Sequence, residues 1–183
     1  MQVVDTLIAA TWVAFWVLWI AAGLRAKAPR TRSGSYIGVR VVLLLLILLL
    51  ARAGALGGHG GDTHDPWVVG IGLSLFVAGL AGAVWARAYL GRNWGTPMSE
   101  KADPELVTTG PYRYVRHPIY SGIILAMVGT ALAISIHWLV PAVVVGAFFV
   151  YSATVEERIM ARRFPDTYPA YRRATKMLIP FVF

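Results

Sequence analysis

The chain contains no cysteine. Without a thiol there is no disulfide framework, no thiolate nucleophile and no thiolate metal site, and the redox compartment stays open. Charge is scarce too. Asp, Glu, Lys and Arg make up 14% of 183 residues, against about 25% in a soluble globular domain. Acids are the scarcer sign: nine, against seventeen Lys and Arg, for a formal net charge of +8. The opening MQVVDTLIAATW carries an acid and no basic n-region, so it does not read as a cleaved signal peptide. Internal repeats and a soluble second domain are also missing.

What is present is apolar: 57% hydrophobic residues and a mean hydropathy of +0.62. A bilayer-spanning helix needs roughly 20 mostly apolar residues. Five segments qualify, at about 3–24, 37–56, 66–90, 119–135 and from near 138 past 155. The expected fold class is therefore an all-α integral membrane protein, a bundle of about five transmembrane helices forming one membrane domain over 1–183. Loop 25–36 holds Arg25, Lys27, Arg30 and Arg32, and loop 91–118 holds Arg92, Lys101, Arg113 and Arg116. The tail after 157 adds five arginines and Lys176, whereas loop 57–65 has aspartates and neither Lys nor Arg. Basic loops alternate with non-basic ones. The positive-inside rule then predicts the N-terminus outside and the C-terminus in the cytoplasm. The basic balance thus belongs to membrane topology, and nucleic acid is not an expected partner.

Several features of the spans read as structural. Arg40 and Arg52, near opposite ends of the second span, can snorkel to the two interfaces. Trp12, Trp16 and Trp19 share a helical face, for packing, for lipid contact or as the lining of a lipid-substrate groove. Ala78, Gly82 and Ala86 form a small-residue row on the third span, and Gly122, Ala126 and Thr130 form one on the fourth. Such rows let helices approach closely. His59 and His64 lie in a glycine-rich loop that reads as solvated, and no metal site is expected.

Polar, titratable and aromatic residues concentrate in 91–120 and 151–183. The connection between spans four and five is short, so these helices are antiparallel neighbours. Each leg of that hairpin, from His117 to Ser135 and from His137 to Glu156, covers roughly 27–28 Å of helix. His117 and the pair Glu156–Glu157 should therefore return to one depth, side by side. The acids are either interface anchors paired with arginines or holders of a ligand's hydroxyls or ammonium. In TTGPYRYVRHPIY (108–120), Pro118 suits a first helical turn, whose N-terminus favours an anion, reinforced by Arg116. Tyr112, Tyr114 and Tyr120 add aromatic faces able to attract a cation. An interfacial belt of Arg and Tyr is the competing account of the same stretch.

The C-terminal half resembles the isoprenylcysteine carboxyl methyltransferase family and the related phospholipid methyltransferases. The matching residues are LVTTGPYRYVRHPIYSG at 106–122 and EERIMARRFPDTYPAYRRATKMLIPF at 156–181. The resemblance covers about residues 90–183. It implies a membrane enzyme that methylates a lipophilic acceptor (an isoprenylcysteine-like carboxylate, a thiol or a lipid amine) using S-adenosylmethionine. Its pocket is formed by 91–120 and 151–183 within a core over 66–183, with 1–65 as an N-terminal two-helix region. By position, Leu106, Val107, Tyr112, His117, Pro118, Ile119, Tyr120 and Glu156 would bind the cofactor, and Arg116 and Glu157 would be the catalytic pair. The expected location is a prokaryotic inner (cytoplasmic) membrane, with the site on the cytoplasmic side. One departure concerns the acceptor: Ser152 stands where family members acting on prenylcysteine carry an arginine. The alternatives are a membrane reductase of sterol-reductase-like architecture, using a nicotinamide cofactor, and a non-enzymatic membrane protein. Almost no ionisable groups lie at mid-depth, which argues against transport.

Overall fold

The computed structural model describes residues 2–23, 29–31, 65–91, 100–101 and 105–182. Helix α1 is Gln2–Gly23, α2 is Pro66–Leu90, α3 is Pro118–Ala133, α4 is Leu139–Arg163 and α5 is Tyr168–Ala174. Short 3-10 turns at Gly110–Arg113 and Ile136–Trp138 precede α3 and α4. Gln2–Ala21, Pro66–Leu90 and Ile136–Arg163 are long and apolar enough to cross a membrane, and Pro118–Ala133 is a shorter apolar helix. The chain is an integral membrane protein, and its described residues are all-helical apart from one small feature. Strand β1, Pro29–Thr31, pairs antiparallel with β2, Glu100–Lys101. That pair joins the two basic loops expected on one side of the membrane. The second expected span, about 37–56, lies outside the described residues, as do Arg40, Arg52, His59 and His64.

Local chemistry explains the helix ends. Asp65 caps α2 by accepting from the Trp67 N–H at 2.8 Å, and Pro66 fills the first turn, where a missing N–H costs nothing. At the other end Gly91 takes a positive φ of 49° and returns its N–H to the Arg87 carbonyl. Pro118 likewise opens α3. With 25 residues, α4 spans roughly 37 Å, longer than the roughly 30 Å hydrocarbon core, whereas the 16 residues of α3 reach only about 24 Å.

The packing between α2 and α3 is a glycine seam. A Cβ on Gly79 would come within 2.5 Å of the Ala126 N and the Gly122 carbonyl, and one on Gly122 within 2.5 Å of the Gly79 carbonyl. One on Gly72 would sit 2.6 Å from the Ala133 N. These contacts run in opposite chain directions, so the helices are antiparallel. The seam corrects the small-residue rows expected from sequence. On α2 the buried line is Gly72, Phe76, Gly79, Ala83 and Ala86, whereas Ala78 is exposed and a Cβ on Gly82 would meet nothing. On α3, Gly122 and Ala126 are continued by Gly129, not Thr130. Alternating steps of four and three keep a stripe facing its partner, while steps of four alone drift around the helix.

Thr130 instead holds α1. It accepts from Trp12 Nε1 at 3.1 Å and donates to the Ala126 carbonyl at 2.9 Å. Trp12 also meets Phe76 edge-on, and Arg87 lies 4.6 Å over the Trp19 ring. The expected tryptophan face is thus split. Trp12 and Trp19 pack inward, while Trp16 stays 43% exposed.

Replacing Gly79 or Gly122 by Val should separate the backbones of α2 and α3. Overpacking of this kind typically costs about 1–3 kcal/mol. Thermal unfolding in detergent should show both variants clearly destabilised, with Gly82→Ala within about 0.5 kcal/mol of the parent. Equal effects at all three positions would disprove the seam.

Candidate functional site

The expected meeting of the two motifs is present. At the N-cap of α3, His117 Nδ1 lies 3.5 Å from Glu156 Oε2 and Nε2 lies 3.6 Å from Glu157 Oε1. These are ion-pair distances rather than hydrogen bonds, and Nε2 is buried without a hydrogen-bond partner among the described residues. Tyr120 donates to Glu156 Oε1 at 2.5 Å. Arg116 Nε donates to Glu157 Oε1 at 2.7 Å. Arg172 approaches the other oxygen of Glu157 from the surface, at 3.4 Å. The two acids differ in access. The Glu156 side chain is 25% exposed, that of Glu157 only 6%.

The C-terminal segment closes over this cluster. The backbone N–H groups of Arg116 and His117 donate to the carbonyls of Lys176 and Met177, at 2.8 and 3.1 Å. Ser121 Oγ donates to the Leu178 carbonyl at 2.6 Å. Arg116 Nη1 donates to the carbonyls of Arg172 and Thr175. Tyr171 donates to the Tyr112 carbonyl at 2.7 Å. Arg116 was expected to reinforce an anion site at the start of α3. Its Nε and Nη1 donors are directed instead at Glu157 and tail carbonyls. The aromatic face expected of Tyr120 is also occupied. Its ring is stacked with two others, 5.5 Å from His117 and 4.3 Å from Phe149. Tyr114 is exposed, with Arg113 5.3 Å from its ring.

The remaining expected residues frame the cluster. Leu106 and Val107 are half-buried, and Val107 packs on the core. Tyr112, Pro118 and Ile119 are buried. Gly110, at φ 59°, lets its turn press on the Tyr89 ring at the end of α2. Ser152 is buried and donates to the Phe148 carbonyl at 2.8 Å, so its hydroxyl serves its own helix. Sequence reasoning had Tyr171 only as part of the matching segment 156–181, and it missed Phe149, Ser121, Thr175 and Met177 as residues of the site. Phe149 was recoverable, because it lies seven residues before Glu156 and so shares its face. The tail residues carry no periodic signal, since they are held through backbone carbonyls.

Electrostatics follow from burial and pairing. Burial alone would lower the His117 pKa, but attraction to Glu156 and Glu157 outweighs it and holds the imidazole above its usual value. Burial pushes the Tyr171 phenol up to about 12. Tyr112 and Tyr168 are raised as well, mainly by burial. The phenols are therefore neutral donors.

Comparison with known proteins agrees with this architecture. The family model for phospholipid methyltransferases matches residues 67–167. Protein-S-isoprenylcysteine O-methyltransferase B of Arabidopsis thaliana is 27% identical over 167 residues, covering 89% of this chain and 85% of that protein. Methanethiol S-methyltransferase 1 of Bradyrhizobium diazoefficiens is 38% identical over 82 residues, 45% of this chain and 28% of that one. The solved structure of the eukaryotic intramembrane Ras methyltransferase ICMT matches with a TM-score of 0.56 at 23% identity, over 83% of this chain and 54% of that one. At such identity the structural likeness speaks for the fold, and this chain spans about half the length of that structure. The match over more than half of its residues makes this chain a member of the phospholipid methyltransferase family, a membrane methyltransferase with an ICMT-like fold.

Proposed function

We propose that the chain methylates a lipophilic acceptor from S-adenosylmethionine, on the cytoplasmic side of a prokaryotic inner membrane. The observation that carries this is the pair of unequal carboxylates. Glu157 is buried and ion-paired, while Glu156 is partly exposed, oriented by Tyr120 and next to His117. This donor set fits the cofactor. Glu156 would hold its ammonium or ribose hydroxyls, and His117, with its buried Nε2, would face it. Leu106, Val107, Tyr112, Pro118, Ile119 and Tyr120 would line the pocket. When bound, S-adenosylmethionine supplies an electrophilic methyl group on a sulfonium. The chain's own contribution is to hold and orient both partners and to keep water out.

Arg116 and Glu157 act as positioning residues. Arg116 fixes Glu157 and the tail together, and Glu157 helps keep His117 charged. His117 holds its proton more tightly than a free imidazole because of the two carboxylates, Glu157 is ion-paired, and the buried phenols are neutral. The site therefore suits an acceptor that arrives ionised, a carboxylate or a thiolate, over a lipid amine that needs deprotonation. The names of two curated relatives, an isoprenylcysteine O-methyltransferase and a methanethiol S-methyltransferase, support those classes.

Calorimetry on the purified protein should show micromolar binding of S-adenosylmethionine or its demethylated product, and no binding of nicotinamide nucleotides. Glu156→Gln and Tyr120→Phe should each weaken that binding by about tenfold, the loss of one charged or charge-assisted hydrogen bond. Nicotinamide binding alone would favour the reductase. In a labelled-methyl screen, prenyl-thiols, small thiols or prenylated carboxylates should accept label. Transfer to amine lipids only would refute the ionised-acceptor class.

Stability should also depend on pH through His117. Its folded pKa lies above the unfolded value of about 6.5, so its contribution is complete below about 6.5 and is lost as pH rises through the folded value. Melting temperatures should fall across that window in the parent and stay flatter in His117→Asn. Arg116→Gln removes a like charge beside His117 and should move the parent's transition to higher pH. An unmoved transition would reduce Arg116 to a purely structural role.

A further inference from the structure

Just past the carboxylates, α4 and α5 enclose a concavity of about 400 Å³ lined by Ala161, Tyr168, Pro169, Arg172 and Arg173. Three observations bear on what occupies it. Residues 158–176 carry Arg158, Arg162, Arg163, Arg172, Arg173 and Lys176 against one acid, Asp166. The wall formed by Arg172 is only partly committed, because its side chain is 62% exposed and meets Glu157 through Nε at 3.4 Å. Arg163 ends the apolar helix α4, so the concavity lies where hydrocarbon gives way to headgroups. Guanidinium groups bind phosphate through paired N–H···O bonds, and anionic leaflets attract basic segments at this depth. The buried Tyr168 forms an apolar floor with a polar tip, suited to the junction of headgroup and acyl chain. We propose that this concavity binds the phosphate of an anionic phospholipid headgroup, clamped between Arg172 and Arg173 over Tyr168. The lipid would be a structural neighbour of the reaction site rather than its methyl acceptor.

The test reads lipid retention and so stands or falls apart from methyl transfer. The full chain in detergent is offered phosphatidylglycerol and phosphatidylcholine of equal acyl length, and retained lipid is counted by native mass spectrometry. The parent should retain phosphatidylglycerol about tenfold better. The double variant Arg172→Ala/Arg173→Ala should lose that preference, and the Arg172→Lys/Arg173→Lys pair should keep part of it. Arg162→Ala removes a charge from α4 outside the concavity and should leave most of the preference in place. Arg172 also meets Glu157, so the double alanine variant should melt somewhat below the parent, while Arg116 and His117 still neutralise that acid and keep the chain folded for the retention assay. Equal retention of the two lipids would overturn the proposal. So would an Arg162→Ala loss as large as that of the double alanine variant. Displacement of the lipid by millimolar inorganic phosphate would mark a free-anion site and overturn the lipid assignment.

Discussion

Glu157 sits buried near the end of an apolar helix, and an ionised carboxylate there must be neutralised where it stands. A buried charge left without a partner costs several kcal/mol, so its neighbours are not optional. Arg116 supplies a short, charge-assisted bond from the segment before α3. His117 adds a second cation and Arg172 a third. Because Arg116 also donates to tail carbonyls, the same charge that would be costly on its own ties α3, α4 and the C-terminal segment together. Glu156, one residue earlier, lies on the more open side of this lock and has its orientation set by Tyr120.

The cluster needs a fixed depth, and the glycine seam supplies it. Without a large hydrophobic driving force between helices in lipid, close backbone contact does the packing. At the seam α2 and α3 touch through backbone, leaving little freedom to slide. Helix α3 is shorter than the hydrocarbon core while α4 is longer. The start of α3 and the carboxylates level with it on α4 therefore lie near the hydrocarbon boundary, and the last turn of α4, with Arg162 and Arg163, passes beyond it. A lipophilic acceptor and a water-soluble methyl donor can meet only near such a boundary.

Much of this was legible in the residues. The limits of α2 match the apolar run at 66–90, and helical rise along one hairpin was enough to bring His117 level with Glu156. Orientation within each helix was less legible. A row such as Ala78, Gly82 and Ala86 looks like a packing face until the partner's geometry selects Gly72, Gly79 and Ala86 instead. The aim of Arg116 was hidden for another reason: its acceptors include carbonyls, which any residue provides. Tyr120 was expected to offer an open face because sequence could not show that the rings of His117 and Phe149 stack with it. Ser152 was recognised as a departure, and its hydroxyl proves to be committed to its own helix.

The tail that zips along residues 115–121 has a consequence for biogenesis. Residues 175–178 follow α4 in the chain, so they leave the ribosome after it. Until they arrive, the N–H groups of Arg116 and His117 lack their carbonyl acceptors, and Glu157 lacks the fully braced form of its main partner. An inserted but unfinished chain therefore holds the carboxylates without the geometry to use them. Closure of the site thus waits on the segment that is made after α4, the helix that carries the carboxylates.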